Sequence, residues 1–491
     1  MSDENNVIEE SKELVWFDTE TVSIRTDINQ IIQFAAIVTD EELNVKETHN
    51  IRVRLKKTVP IGVGACIVTG NNPLDLFSKE YMSEYDFSKF LDTLLENRVI
   101  AGYNSHGYDD KMVAQCLYQN LHMPYKHKYS TGGSLDVLTL VTTVSNIYTD
   151  DFKIPEANGK PTFRLGLWCD ANGIKVDQSK THDALYDVEL TLEAVRKAKA
   201  VAPDIYESWM ASRSSRHVQQ RIMKSLFMDN INVYFGKMYS QRCMYIMSDD
   251  KSAFLFDLDY DPVEVFRYSS KQLLDSMINK SKTKYKPIRH IRVNKAPMIL
   301  DNIHKHMDAD SIKKYESRLL LVLNNPMILD KMKEVCDRYS DHIGAKYGNM
   351  KTDHIDSTET DVHISQRINE KFIEFDSNDE NSMKKFHALT TWKERAEMIG
   401  EFEDERLQII ARNIIYDNDP SALSATERTD VHRQFVDFVT NPHSLCNVTD
   451  LSREYVETVA KYTHNETYVV NARIKKILVD YGVYLTRMLL P

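Results

Sequence analysis

Residues 14–21 read Leu-Val-Trp-Phe-Asp-Thr-Glu-Thr. Four apolar or aromatic residues run straight into an Asp-x-Glu pair. An apolar run of this kind predicts a strand buried on both faces, as in the interior of a covered sheet. Side chains alternate along a strand, so Asp18 and Glu20 leave its end on the same side. Two carboxylates held that close repel each other unless a cation sits between them. Oxygen ligands with few other anchors suit a hard divalent ion, Mg²⁺ or Mn²⁺. Taken alone, such a pair also reads as two solvated acids at a strand end, and the rest of the chain has to decide.

A chain of 491 residues predicts two to four domains, each large enough for its own core. No stretch approaches the uninterrupted apolar length that spans a bilayer. Met1 to Ser11 is acidic and polar, which reads as a short tail and not as a signal or transit peptide. The six cysteines, at 66, 116, 169, 243, 336 and 446, have no C-x-x-C spacing. They fit small core residues in a reducing cytosol, which predicts a cytoplasmic protein. The net charge of −11 counts against a protein that coats nucleic acid indiscriminately, though not against one whose basic residues line a groove.

Further strands are predicted at Ile31–Thr39 and Asn50–Leu55. Gly62 and Gly64 mark a turn before Ala65–Val68. Helical spacing covers Tyr85–Asn97, and Arg98–Asn104 reads as a strand. A helix opens within Asn104-Ser105-His106-Gly107-Tyr108-Asp109-Asp110. Acids at a helix start also have an ordinary explanation in the helix dipole. Thr181 is a candidate N-cap for a long amphipathic helix ending near Ala200, with His182 on its loop or first turn and Asp187 one turn further in.

Read together and in this order, F-D-T-E, N-x-x-x-Y-D and H-D-A-x-x-D resemble the DEDDh family of 3′→5′ exonucleases, with its RNase-H-like fold. The resemblance places the metal-binding acids on Asp18, Glu20, Asp109 and Asp187, with a pair of Mg²⁺ ions that Mn²⁺ can replace, and the general base on His182. Asp110 rivals Asp109, and the family pattern favours the acid directly after the aromatic. Within the family, Gln33–Ile37, Val68-Thr69-Gly70-Asn71-Asn72-Pro73, Gly102–Asn104 and Phe163-Arg164-Leu165 with Ala171–Ile174 resemble the bacterial exodeoxyribonuclease I group. The match is strongest over residues 13–205 and weaker beyond. That divergence fits a bacteriophage-encoded or otherwise distant member.

The resemblance implies an enzyme that degrades single-stranded DNA processively from its 3′ end, releasing 5′-mononucleotides, in DNA repair, recombination or nucleotide turnover. It also implies that Glu20 and Arg164 touch the substrate. The expected fold is α/β. Its parts are a tail over 1–12, an RNase-H-like exonuclease domain with a mixed sheet over 13–203, an SH3-like domain over 204–355 and a helical C-terminal domain over 356–491. Helices are predicted at His217–Met228, Phe386–Glu401, Arg406–Ile415, Ser424–Val439 and Leu451–Tyr462, with strands at Cys243–Met247 and Ala253–Leu258 and a linker between Tyr339 and Asp361.

Ser276 to Leu300 holds seven Lys or Arg and no acid, including Lys282, Lys284 and Lys286. In an acidic chain this is the best candidate for a surface that tracks phosphates. Tyr125 to Tyr129 is a smaller version, where Lys128 adds charge and Tyr125 a ring for base stacking. The family also binds the acidic tail of single-stranded-DNA-binding protein; the chain is expected to act as a monomer. Two other readings stand beside this one: an RNA 3′-end trimmer with the same chemistry, and a DNA-end binder without activity. The second would be expected to lack one of the five residues Asp18, Glu20, Asp109, His182 and Asp187, and none is missing.

Overall fold

Leu14, Val15, Trp16 and Phe17 are each 2 % exposed or less, because the strand they form is covered on both faces. The computed structural model describes residues 13–23, 29–125, 132–177, 180, 183–225, 227–234, 237–249, 251–279, 285–301, 306–352, 375–442, 444, 446–464 and 472–490. The chain divides into two compact units. One comprises residues 12–130, 177–189 and 360–491; the other comprises 1–11, 131–176 and 190–359.

The first unit begins with β1 (Glu13–Thr21), β2 (Ile31–Asp40) and β3 (Val45–Arg52). There follow α1 (Val63–Thr69), α2 (Glu84–Leu94), β4 (Val99–Gly102) and α3 (Asp109–Tyr118). Its strands lie in the order β3-β2-β1-β4. β1 is antiparallel to β2 and parallel to β4, which makes the sheet mixed. α2 and α3 cover one face, where Phe34, Phe87, Leu91, Met112 and Leu117 share a core. Gly102 ends β4 where no larger residue fits. A Cβ there would lie 2.9 Å from the Phe17 carbonyl oxygen and 2.8 Å from the Ser105 Cβ.

The helical C-terminal region belongs to this unit. Phe435, Phe438, Ile477 and Tyr481 bury against Leu55, Ile61, Val63 and Cys66. A second seam joins Phe386, Phe402 and Ile410 to Tyr85 and Tyr118. Tyr481 Oη donates to the Ile61 carbonyl at 2.7 Å, and Glu454 accepts from the Gly64 amide at 2.9 Å.

The second unit has β5 (Ser134–Asp136), leading directly into the helix Val137–Ile147, and a small hairpin of β6 (Glu156–Ala157) and β7 (Lys160–Pro161). Its main sheet comprises β8 (Met228–Tyr234), β9 (Lys237–Ser248), β10 (Ser252–Asp257), β11 (Ile288–Arg292) and β12 (Met298–Leu300). Their order is β11-β10-β9-β8-β12, with every described pairing antiparallel.

The structure departs from the expected elements in several places. The third strand ends at Arg52, not Leu55. The turn at residues 62–64 is the start of α1. The helix expected to reach Met228 stops at Lys224, and Met228 opens β8. The helix expected over 386–401 is broken, because Thr391 and Glu394 form a capping box that starts a new helix at Trp392. The stretch read as a linker is helical as far as Thr352, since Met332, Val335, Cys336 and Tyr339 anchor the helix Pro326–Thr352 from one side.

Candidate active site

Asp18 and Glu20 stand at the C-terminal end of β1, on the same side of the strand. Antiparallel pairing sets them opposite Ala35 and Gln33 of β2. β4 runs parallel to β1, so its C-terminal end arrives beside theirs and the turn after it feeds α3. Asn104 makes that turn with φ of +59°, a conformation asparagine tolerates better than most residues. Asp109 then opens α3, and Asp187 lies in the first turn of the helix Ala184–Val201. Both are near the positive end of a helix dipole, which favours a carboxylate.

The charges acting on Asp18 are those of Asp109, Glu20 and Asp187. Burial and this repulsion push its carboxyl well above the ordinary range. Glu20 rises to about 8, through burial and then through Asp187 and Asp109, with Arg52 opposing the shift. Asp109 rises to about 7, mainly through burial, with the Thr19 hydroxyl opposing. Thr19 Oγ1 donates to Asp109 Oδ1 at 2.5 Å. Four acids drawn from three chain segments thus share one electrostatic neighbourhood.

Between the two acids that open α3, Asp109 is the one that acts on Asp18 and Glu20. Asp110 is fully buried, and its carboxylate lies 3.9 Å from His106. Among the described residues, no three His, Cys, Asp or Glu side chains already stand at the spacing of a closed metal cage. The acids are gathered without being drawn tight. An oxygen-only set whose members repel one another and that is short of positive charge fits a divalent cation, which relieves that repulsion.

Not all of the expected residues fall in this cluster. His182, Lys128, Lys282 and Lys284 lie outside the described residues, as does Thr181. Arg164 is exposed and precedes the helix Leu165–Ala171 in the other unit. Lys286 also belongs to that unit, where its amide donates to Tyr260 Oη at 3.2 Å. Tyr125 is half-buried beyond α3.

Four residues were missed. Thr19 holds Asp109. Tyr108 Oη bridges Thr21 and the Asn29 amide, at 2.5 and 2.9 Å. Arg52 sets a positive charge against Glu20, and Asp183 adds a negative one. Thr19 and Tyr108 sit inside the motifs already singled out, so their hydroxyls were a usable signal. Nothing local marks Arg52, which reaches the site only through strand pairing.

A family model described as exonuclease matches residues 15–195. Exodeoxyribonuclease I of Buchnera aphidicola (subsp. Schizaphis graminum) is 24 % identical over 410 residues, covering 80 % of each chain. The chain carries an exonuclease domain and resembles exodeoxyribonuclease I. E. coli exonuclease I in complex with a dT13 oligonucleotide has the same fold, with a TM-score of 0.73 at 18 % identity over 97 % of this chain and 100 % of that one. A structure of SSB/exonuclease I with the inhibitor CFAM matches at a TM-score of 0.71 and 18 % identity, over 98 % and 100 % of the two chains. The exodeoxyribonuclease I-like fold therefore extends through the second unit and the helical C-terminal region.

Proposed function

We propose that this exonuclease removes nucleotides from the 3′ end of single-stranded DNA as 5′-mononucleotides, with Asp18, Glu20, Asp109 and Asp187 holding a pair of Mg²⁺ ions. The observation that carries the reading is the placing of these four carboxylates at the end of β1 and the starts of two helices of one unit, near enough for the other three to act on Asp18. The bound cations supply the positive charge that steadies the attacking and leaving oxygens of the phosphodiester. Thr19 keeps Asp109 turned toward the pair on β1. His182 takes the proton from the attacking water; an imidazole with an ordinary pKa of about 6.5 does this near neutral pH. Arg164 offers a planar guanidinium to a phosphate of the substrate.

The basic and aromatic residues Tyr125, Lys128, Lys282, Lys284 and Lys286 are read as the surface along which the strand runs. Residues 204–355 are read as the SH3-like domain and 356–491 as the helical one. Single-stranded-DNA-binding protein is the partner, and the chain acts as a cytoplasmic monomer. Among the described residues no helix is long and apolar enough to cross a membrane.

Digestion of 5′-labelled and 3′-labelled single strands with Mg²⁺, with and without chelator, tests the reading. The 3′ label should leave at once as a mononucleotide, while the 5′ label shortens stepwise. Activity that survives the chelator, or that frees the 5′ label first, overturns it. A matched RNA oligomer should be a poor substrate.

A further inference from the structure

Within the same unit as the acid cluster lies a cleft of about 330 Å³, at the lower end of the roughly 300–1,000 Å³ of small-ligand sites. Arg52, Gly70, Asn71, Arg473 and Lys476 are among the residues that line it. Three cations stand there against one carboxylate, Asp75, in a chain of net charge −11. Lys476 lies 3.7 Å from Asp75, and both side chains are more than 60 % exposed, so that pair is weak.

The two guanidinium groups are held in place. Arg473 Nε donates to the Gly70 carbonyl at 3.0 Å. Gly70 ends α1 with φ of +66°, and a Cβ on it would lie 2.1 Å from the Arg473 guanidinium carbon. The missing side chain is the space the guanidinium uses. Arg52 donates to the Asn71 side chain, and the Asn71 amide in turn donates to Thr69 Oγ1 at 2.9 Å. Arg52 also sets a positive charge against Glu20, so a cation of the cleft is felt at the acid cluster.

We propose that this cleft is a phosphate subsite, which takes a phosphate group of the nucleic acid being degraded through Arg473 and Lys476 of the C-terminal helix Ala472–Arg487 together with Arg52. The inference rests on the exonuclease reading above and extends it. Fixed guanidinium groups suit phosphate oxygens, and a lysine adds a point charge. The same chemistry serves a phosphodiester of the strand or the phosphate of a released mononucleotide.

The test uses the full chain with Arg473→Gln, Lys476→Gln and the double variant. Both side chains are exposed, so the fold should hold. Lys475→Gln is the control, since Lys475 is exposed on the same helix but does not line the cleft. Binding of a phosphorothioate oligothymidylate is measured with chelator across a salt series, and inhibition of cleavage by thymidine 5′-monophosphate is measured separately. Each lost strand contact should lower the slope of log K against log salt by roughly 0.7. A lower slope in the double variant assigns the site to the strand; weaker inhibition alone assigns it to the released nucleotide. An unchanged slope together with unchanged inhibition overturns the proposal. Should the unaltered protein bind the oligomer yet degrade no DNA, the exonuclease reading falls, while the slope still reports on the cleft.

Discussion

Thr19 and Asp109 lie 90 positions apart, and the hydroxyl of one donates to the carboxylate of the other at 2.5 Å. This bond ties the strand that carries the first acids to the helix that carries the third. Thr19→Val keeps the shape and removes the donor. It should lower the cleavage rate by roughly 10–100-fold, the usual cost of losing a group that orients a ligand. Steady-state cleavage of a single-stranded oligomer, beside a thermal melt showing an intact fold, checks this.

Asp18→Ala should nearly abolish cleavage while leaving oligomer binding largely intact. Loss of cation-mediated stabilisation worth about 4 kcal/mol corresponds to a rate loss of about 10³-fold. Single-turnover cleavage and filter binding, run side by side, separate the two effects. Full residual activity would reject the assignment of the acids.

The raised acids make a prediction about pH. Glu20 and Asp109 ionise at about 8 and about 7 in the folded chain, against 4.5 and 3.8 ordinarily. Over that interval the folded state binds more protons than the unfolded one, so stability falls as pH rises. With chelator present, the melting temperature contributed by these groups should decline from about pH 4 to about pH 8. Glu20→Gln should flatten part of that decline. Added Mg²⁺ at pH 8 should restore stability, by about 2.7 kcal/mol at a hundredfold excess over Kd.

Gly102→Ala tests the spacing of the central strands. Its Cβ would meet the Phe17 carbonyl oxygen at 2.9 Å and force β4 away from β1, one residue before Asp18. Overpacking of this kind costs about 1–3 kcal/mol. Chemical denaturation should show that loss, and cleavage should weaken with it, because Asp109 follows β4 into the turn.

What could be read in advance depended on whether the signal was local. Asp18 and Glu20 were legible because an apolar run and a two-residue period fall in one stretch. Asp109 needed the family pattern to be preferred to Asp110, since both acids sit at the same helix start; their different surroundings appear only when α3 is packed. α1 was hidden because seven residues containing a glycine carry little periodicity, and part of its apolar side is covered by Phe435 and Tyr481 far along the chain. The later part of the helix Pro326–Thr352 reads as a linker because it is polar, with a glycine at 344, while the buried residues that anchor the helix end at Tyr339. Arg52 and Arg473 stand 421 positions apart (473 − 52) and meet at one cleft, which no window along the sequence contains.

The acids come from residues 18, 20, 109 and 187, so the fourth is supplied only after more than a third of the chain has been made. A nascent chain still short of the helix Ala184–Val201 owns three of the carboxylates and lacks the fourth that the proposed cation pair needs. On the proposed reading, a copy released before residue 187 would lack the fourth carboxylate and could not cut nearby strands.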